Sequence, residues 1–152
     1  MTILPALFAL SMPFSGNAPV GWHAAASATD DGKVMITITA EVEAGWHIYA
    51  MELPNDEGPL PTEFRFPESD AYTVSIPLTE PEAKEEFDQN FSMMVRHHSG
   101  TPQFTMLIER VNDSPFTVNG EVEYMVCNDK TCLPPVVVPI SVEVGAIEQI
   151  KK

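Results

Sequence analysis

Residues 34–42 read Val-Met-Ile-Thr-Ile-Thr-Ala-Glu-Val. Val34, Ile36, Ile38, Ala40 and Val42 alternate with Met35, Thr37, Thr39 and Glu41. A period of two with one apolar face is the pattern of a strand laid on a core. It recurs along the chain. Phe64 and Phe66 alternate with Glu63 and Arg65, and Tyr72, Val74 and Ile76 repeat the spacing. Trp46 to Tyr49 follows Gly45, and Gln103–Val111, Glu121–Cys127 and Val136–Val144 are further candidates. Asn119-Gly120 is a turn signal between extended segments, and prolines at 54, 59, 61, 77, 81, 102 and 115 mark loops. Only Glu80 to Phe87 (EPEAKEEF) has room for a helical turn or two.

Many short strands between turns, with no long amphipathic helix, predict an all-β fold, an antiparallel β-sandwich. Its core should include Val34, Ile36, Ile38, Phe64, Phe66, Val74, Phe104 and Ile140. The length of 152 residues fits one domain that buries its own core, and a hydrophobic fraction of 44% argues against disorder. Acidic residues outnumber basic ones 22 to 8, for a net charge of −14. That charge repels phosphate backbones and anionic lipid, which excludes nucleic acid as a partner class. The acids read as a solvated surface, and the eight methionines as core filler.

Ile3 to Phe14 is a short apolar run, followed by Ser15-Gly16-Asn17-Ala18. This resembles a secretory signal and its cleavage site, although no Lys or Arg precedes Lys33. The alternative is a disordered N-terminal arm. Residues 1–18 are therefore set apart from a domain at 19–145 and a tail at 146–152. No other segment approaches the ~20 apolar residues that span a bilayer, so direct membrane insertion of the mature chain is not expected.

The chemistry concentrates in Tyr124 to Pro135 (YMVCNDKTCLPP), which holds both cysteines. Asn128 to Thr131 has turn composition, and a hairpin tip brings Cys127 and Cys132 within disulfide reach. Three readings stay open on spacing alone: a structural staple, a redox pair, or half of a zinc site. As a staple the bond is weak, because closing six residues removes only ~2 kcal/mol of chain freedom, against ~4.7 for a hundred. Zinc needs two further ligands, and adjacent His97-His98 would point to opposite faces of a strand. His23, His97 and His98 have no partner visible in the sequence and read as surface or loop residues. Two non-redox functions also fit a sandwich: a binding or adhesion module with a structural disulfide, or a carbohydrate-binding domain with Trp22 and Trp46 as stacking platforms.

The stretch Tyr124 to Pro135 resembles the active-site segment of the N-terminal periplasmic domain of the thiol:disulfide interchange protein DsbD. Other pieces agree in order: Pro19-Val20-Gly21-Trp22, Gly45-Trp46-His47-Ile48-Tyr49, Gly58-Pro59-Leu60-Pro61-Thr62 and Phe87-Asp88-Gln89-Asn90-Phe91. The resemblance spans about Pro19 to Val144. It implies an immunoglobulin-like sandwich in the periplasm, with protein-disulfide reductase or interchange activity. Such a domain takes electrons from a thioredoxin-like domain, itself supplied by a membrane-embedded domain, and passes them to oxidised clients. The resemblance assigns attack to Cys132 and resolution to Cys127, a cap to Phe91 or Phe87, and places near the pair to His47 and Tyr49. The four residues between the cysteines are fewer than in some family members. The chain ends at Lys152 without the membrane or thioredoxin-like domains, as a fragment or a free-standing relative would. No nucleotide-binding glycine motif and no Cys-x-x-Cys occurs, so no cofactor is expected beyond the two sulfurs.

Overall fold

The alternation at 34–42 becomes a strand whose five apolar residues are buried while Met35 and Glu41 face solvent. The computed structural model describes residues 18–147. Within them the chain forms β1 (Val20–Ala28), β2 (Val34–Val42), β3 (His47–Tyr49), β4 (Glu63–Arg65), β5 (Tyr72–Thr79), β6 (Lys84–Asp88), β7 (Met93–His98), β8 (Gln103–Arg110), β9 (Phe116–Tyr124), β10 (Val126–Cys127) and β11 (Val136–Val144). The strands of the described residues pair antiparallel, and no helix occurs among those residues. The signal segment expected at 1–18 lies outside the described residues except for Ala18, as do residues 148–152 of the expected tail.

Three sheets result, in the orders β1-β2-β8-β5, β11-β9-β4 and β10-β3-β7-β6. In the first, large residues meet small ones across the strands: Trp22 opposes Ala40, Ala24 opposes Ile38, and Ala26 opposes Ile36. On the other side of β2, Phe104, Met106 and Ile108 oppose Ile38, Ile36 and Val34. Such complementary sizes let one layer fill without voids. The second sheet supplies Val118, Val122, Tyr124, Ile140, Val142 and Val144 to the same buried cluster. Trp22 joins the two layers, packing edge-on to Phe64 at 5.8 Å and to Tyr124 at 5.3 Å. It is only 2% exposed, so it is a core residue and not a platform for a sugar.

The third sheet grows out of the second. β9 and β11 pair from Val136↔Tyr124 to Val144↔Phe116, and the connection between them carries β10 and both cysteines. One face of this third sheet, with Ile48 and Val126, joins the main core. The other face builds the site described below.

The structure corrects four expectations. Val74 is 49% exposed, because β5 is a sheet edge whose register shifts after Val74 and again after Ile76. Phe64 and Phe66 are partly buried, packed against the core rather than enclosed by it. The segment expected to turn helically runs from Lys84 as β6, an edge strand paired with β7 and carrying outward charges. Asn119-Gly120 is not a turn but the middle of β9. Gly120 is there for space: a Cβ at this position would lie 2.4 Å from Phe66 Cδ1 and 2.8 Å from the Arg65 carbonyl oxygen.

Two substitutions test this packing in urea melts. Ile38→Ala, at a site with no exposed surface, should cost ~2–5 kcal/mol. Gly120→Ala should cost ~1–3 kcal/mol by displacing Phe66 and the β4 backbone. Wild-type stability in the second variant would show that Phe66 does not rest on Gly120.

Candidate functional site

After Cys127 the chain reverses through a turn organised by one side chain. Asn128 Oδ1 accepts hydrogen bonds from the Lys130 and Thr131 amides at 2.9 and 2.8 Å. The Asn128 amide donates to the Thr131 carbonyl, and Leu133 N donates to the Val126 carbonyl, each at 2.9 Å. Cys127 and Cys132 thereby face each other across the hairpin with Cα atoms 4.0 Å apart, joined as a disulfide. Their environments differ. Cys127 has no exposed surface, whereas Cys132 is partly exposed.

Strand pairing decides what surrounds them. Cys127 lies opposite His47, Tyr49 opposite His97, Val95 opposite Glu86, and Met93 opposite Asp88. Because side chains alternate, these residues share one face of the third sheet. Tyr49, Val95 and Cys127 form a small buried cluster of their own, against which Leu53, Phe91, Met93, Met125 and Cys132 pack.

A buried carboxylate organises the polar part. Tyr49 donates its hydroxyl hydrogen to Asp88 Oδ2 at 2.5 Å. Asp88 Oδ1 accepts from the Asn90 amide at 2.8 Å and from the Phe91 amide at 3.2 Å. These bonds close the turn between β6 and β7, in which Ser92 adopts φ 52°. Phe91, so placed, meets Tyr49 edge-to-face at 6.1 Å. His47 Nε2 lies 3.3 Å from the Tyr49 hydroxyl and 3.6 Å from Asp88 Oδ2, and its ring tilts against His97 at 4.5 Å.

Burial, then the Asp88 hydrogen bond, pushes the Tyr49 phenol above its ordinary range. Burial and the neighbouring His97 hold His47 below its ordinary value, against the opposing pull of Asp88 and Asp129. The imidazole beside the cysteine hairpin is thus biased toward its neutral form at neutral pH. At the sheet edge, the hydrogen bond from His97 and the charge of Lys84 lower the Glu86 carboxyl.

Of the site residues expected from sequence, Cys127, Cys132, His47, Tyr49 and Phe91 come together. Phe87 does not. It alternates with Asp88 to the opposite face of β6, where it is 57% exposed and pairs with Met94. The two adjacent histidines are buried rather than superficial. His97 Nε2 lies 2.8 Å from Glu86 on the cysteine face, and His98 Nε2 lies 2.9 Å from Glu80 on the other. Sequence reasoning missed Asp88 and Asn90. The available signal was an Asp followed at two residues by Asn, a pattern in which the carboxylate captures downstream amides.

Residues 19–143 match the family described as thiol:disulfide interchange protein DsbD, N-terminal. Among solved structures, the chain resembles the N-terminal periplasmic domain of ScsB from Proteus mirabilis, with a TM-score of 0.58 and 16% identity, covering 91% of this chain and 53% of that one. It therefore spans about half the length of the ScsB chain it matches, 53%. It also resembles the Neisseria meningitidis DsbD N-terminal domain in the reduced form, with a TM-score of 0.50 and 14% identity, covering 80% of this chain and 83% of that one. No curated protein matches the sequence. These likenesses agree with the all-β, immunoglobulin-like fold.

Phe91→Ala tests whether the ring shields the sulfurs. An edge-to-face contact of about 0.5–1.5 kcal/mol holds the turn closed, so its loss should speed reduction of the oxidised pair by a small thiol roughly 2- to 12-fold. An unchanged rate in a thiol titration would remove Phe91 from that role.

Proposed function

We propose that this chain, which belongs to the family of DsbD N-terminal domains, is a periplasmic electron relay working through Cys127 and Cys132. Its donor is a thioredoxin-like protein or domain, of the kind a DsbD-type membrane domain supplies, and its clients are oxidised proteins of the same compartment. The observation that carries this reading is the unequal access of two bonded sulfurs. Cys127 has no exposed surface, while Cys132 meets solvent, so a partner reaches only the second. Exchange requires in-line approach of a thiolate to one particular sulfur, which makes this asymmetry chemically directive.

In the reduced domain the Cys132 thiolate attacks one sulfur of the client disulfide. A bond forms between Cys132 and the client, and the client's other sulfur leaves as a thiolate and takes up a proton. Cys127 then loses its proton and attacks Cys132 Sγ. The Cys127–Cys132 bond closes, and the client's second sulfur departs and is protonated. Two electrons and two protons have passed to the client. Recharging runs the same steps backward, with a donor dithiol attacking exposed Cys132. No group beyond the sulfurs is consumed, and the activity is that of a protein-disulfide reductase fed by a protein donor.

Mixing Cys127→Ala, which leaves Cys132 alone, with an oxidised thioredoxin-like partner should accumulate a covalent complex that dithiothreitol dissolves. Cys132→Ala should trap little, because its remaining sulfur is buried. Equal trapping would cancel the assignment of roles. No trapping by either variant, with a wild-type pair that a thioredoxin-like donor fails to reduce, would leave the disulfide a structural bond.

A further inference from the structure

The turn carrying Phe91 and the turn carrying the cysteines are tied by one side-chain bond. Asn90 Nδ2 donates to the Asn128 carbonyl oxygen at 2.8 Å, across 38 residues of sequence. Among the described residues no other hydrogen bond joins these two turns. Both partners are anchored locally. The Asn90 amide is held by Asp88 Oδ1, and Asn128 is held by its own turn through its amide and side-chain oxygen. The acceptor carbonyl belongs to the residue directly after Cys127, and the donor side chain belongs to the residue directly before Phe91.

We propose that Asn90 is a positioning residue: its bond to Asn128 holds the Phe91 turn against the cysteine hairpin and sets how readily Cys132 is reached. This rests on reading the pair as an exchanging disulfide. The bond lies at an exposed position, where water competes for both ends, so it opens under a small bias. Opening leaves one amide donor and one carbonyl acceptor. Those are the complements of a single peptide unit, so an extended main chain beside a partner's cysteine can satisfy both as it docks. A small reductant offers nothing in exchange and must wait for spontaneous opening. Asn90 therefore favours protein partners over small thiols and phosphines at Cys132.

The test measures reduction of the oxidised full chain by tris(2-carboxyethyl)phosphine, and separately by a reduced thioredoxin-like protein. At pH 7, Asn90→Ala and Asn90→Asp should both react with the phosphine about 2- to 12-fold faster than wild type, as loss of one hydrogen bond predicts. Their rates with the protein should change less, so the ratio of phosphine to protein rates rises. At about pH 3 an aspartic acid is largely protonated and donates again. The Asn90→Asp rate relative to wild type should then fall toward one, while that of Asn90→Ala stays high. Asp88, Asp129 and Lys130 also border these turns, and the Asn90→Ala comparison at each pH removes their contribution. Asn90 is exposed, so both variants should still melt cooperatively, with a Tm lowered by no more than the several degrees that loss of one hydrogen bond gives. Wild-type phosphine rates in both variants at pH 7 would overturn the proposal, as would an Asn90→Asp ratio indifferent to acid. Trapping by Cys127→Ala reports the relay independently: accelerated phosphine reduction without trapping keeps the latch and removes the relay, and the converse does the reverse.

Discussion

Asp88 presents a carboxylate with 2% of its side chain in solvent, and its two oxygens take hydrogen bonds from Tyr49 and from the amides of Asn90 and Phe91. A buried acceptor stripped of its donor costs about 1–3 kcal/mol, so these donors are held in place. Through them β3 and the turn after β6 are locked together, although Tyr49 and Asp88 stand 39 residues apart. The cysteine hairpin is in turn paired with β3 through Cys127↔His47 and Val126↔Ile48. The position of the disulfide relative to Phe91 thus draws on one carboxylate whose hydrogen bonds go to Tyr49 and to the Phe91 turn. A net charge of −14 is no obstacle to burying it, because what the site requires is local donors.

Much of the sandwich was legible because β2 and its neighbours are covered on one face only. There a period of two has a direct physical consequence, and Val34, Ile36, Ile38, Phe104 and Ile140 are buried as the pattern requires. Where the environment departs from that simple case, the pattern misleads. At Val74 the alternation is intact in sequence, but an edge strand with shifted register leaves the residue half exposed. In residues 84–88 the local composition of Lys and Glu favours helix. Pairing with β7 and the anchoring of Asp88 override that preference. Asn119-Gly120 signals a turn by composition, yet the glycine answers to a ring arriving from Phe66, 54 positions away in sequence.

The site divides in the same way. The cysteine turn is local: Asn128 Oδ1 and the two amides it holds lie within three residues, so spacing and composition reveal it. His47 and Tyr49 share one strand face by parity alone. Asn90 and His97 act through partners that only strand pairing supplies, Asn128 in one case and Glu86 in the other. No one-dimensional pattern contains those contacts. Phe87 shows the converse error. An aromatic residue four positions from Phe91 looks interchangeable with it, but β6 turns the two toward different surfaces.

The relay proposed for Cys127 and Cys132 requires that their bond not be what holds the domain folded, and the packing meets that condition. The main core draws on all three sheets and contains neither cysteine. The sulfurs belong to a separate small cluster with Tyr49 and Val95. Closing a loop this short constrains the unfolded chain by only ~2 kcal/mol, comparable to the ~1.5–3 kcal/mol from burying one large apolar side chain. The Asn128 bonds that shape the hairpin involve no sulfur, so reduction of the disulfide removes none of their donors or acceptors. A free thiol behaves in a core as a small apolar group, so reduced Cys127 stays compatible with the pocket it already occupies. In the proposed relay Cys132, partly exposed, carries the reactivity instead. Under the same proposal, the burial that shields Cys127 from a partner keeps it beside Cys132, where its one task is to close the bond again.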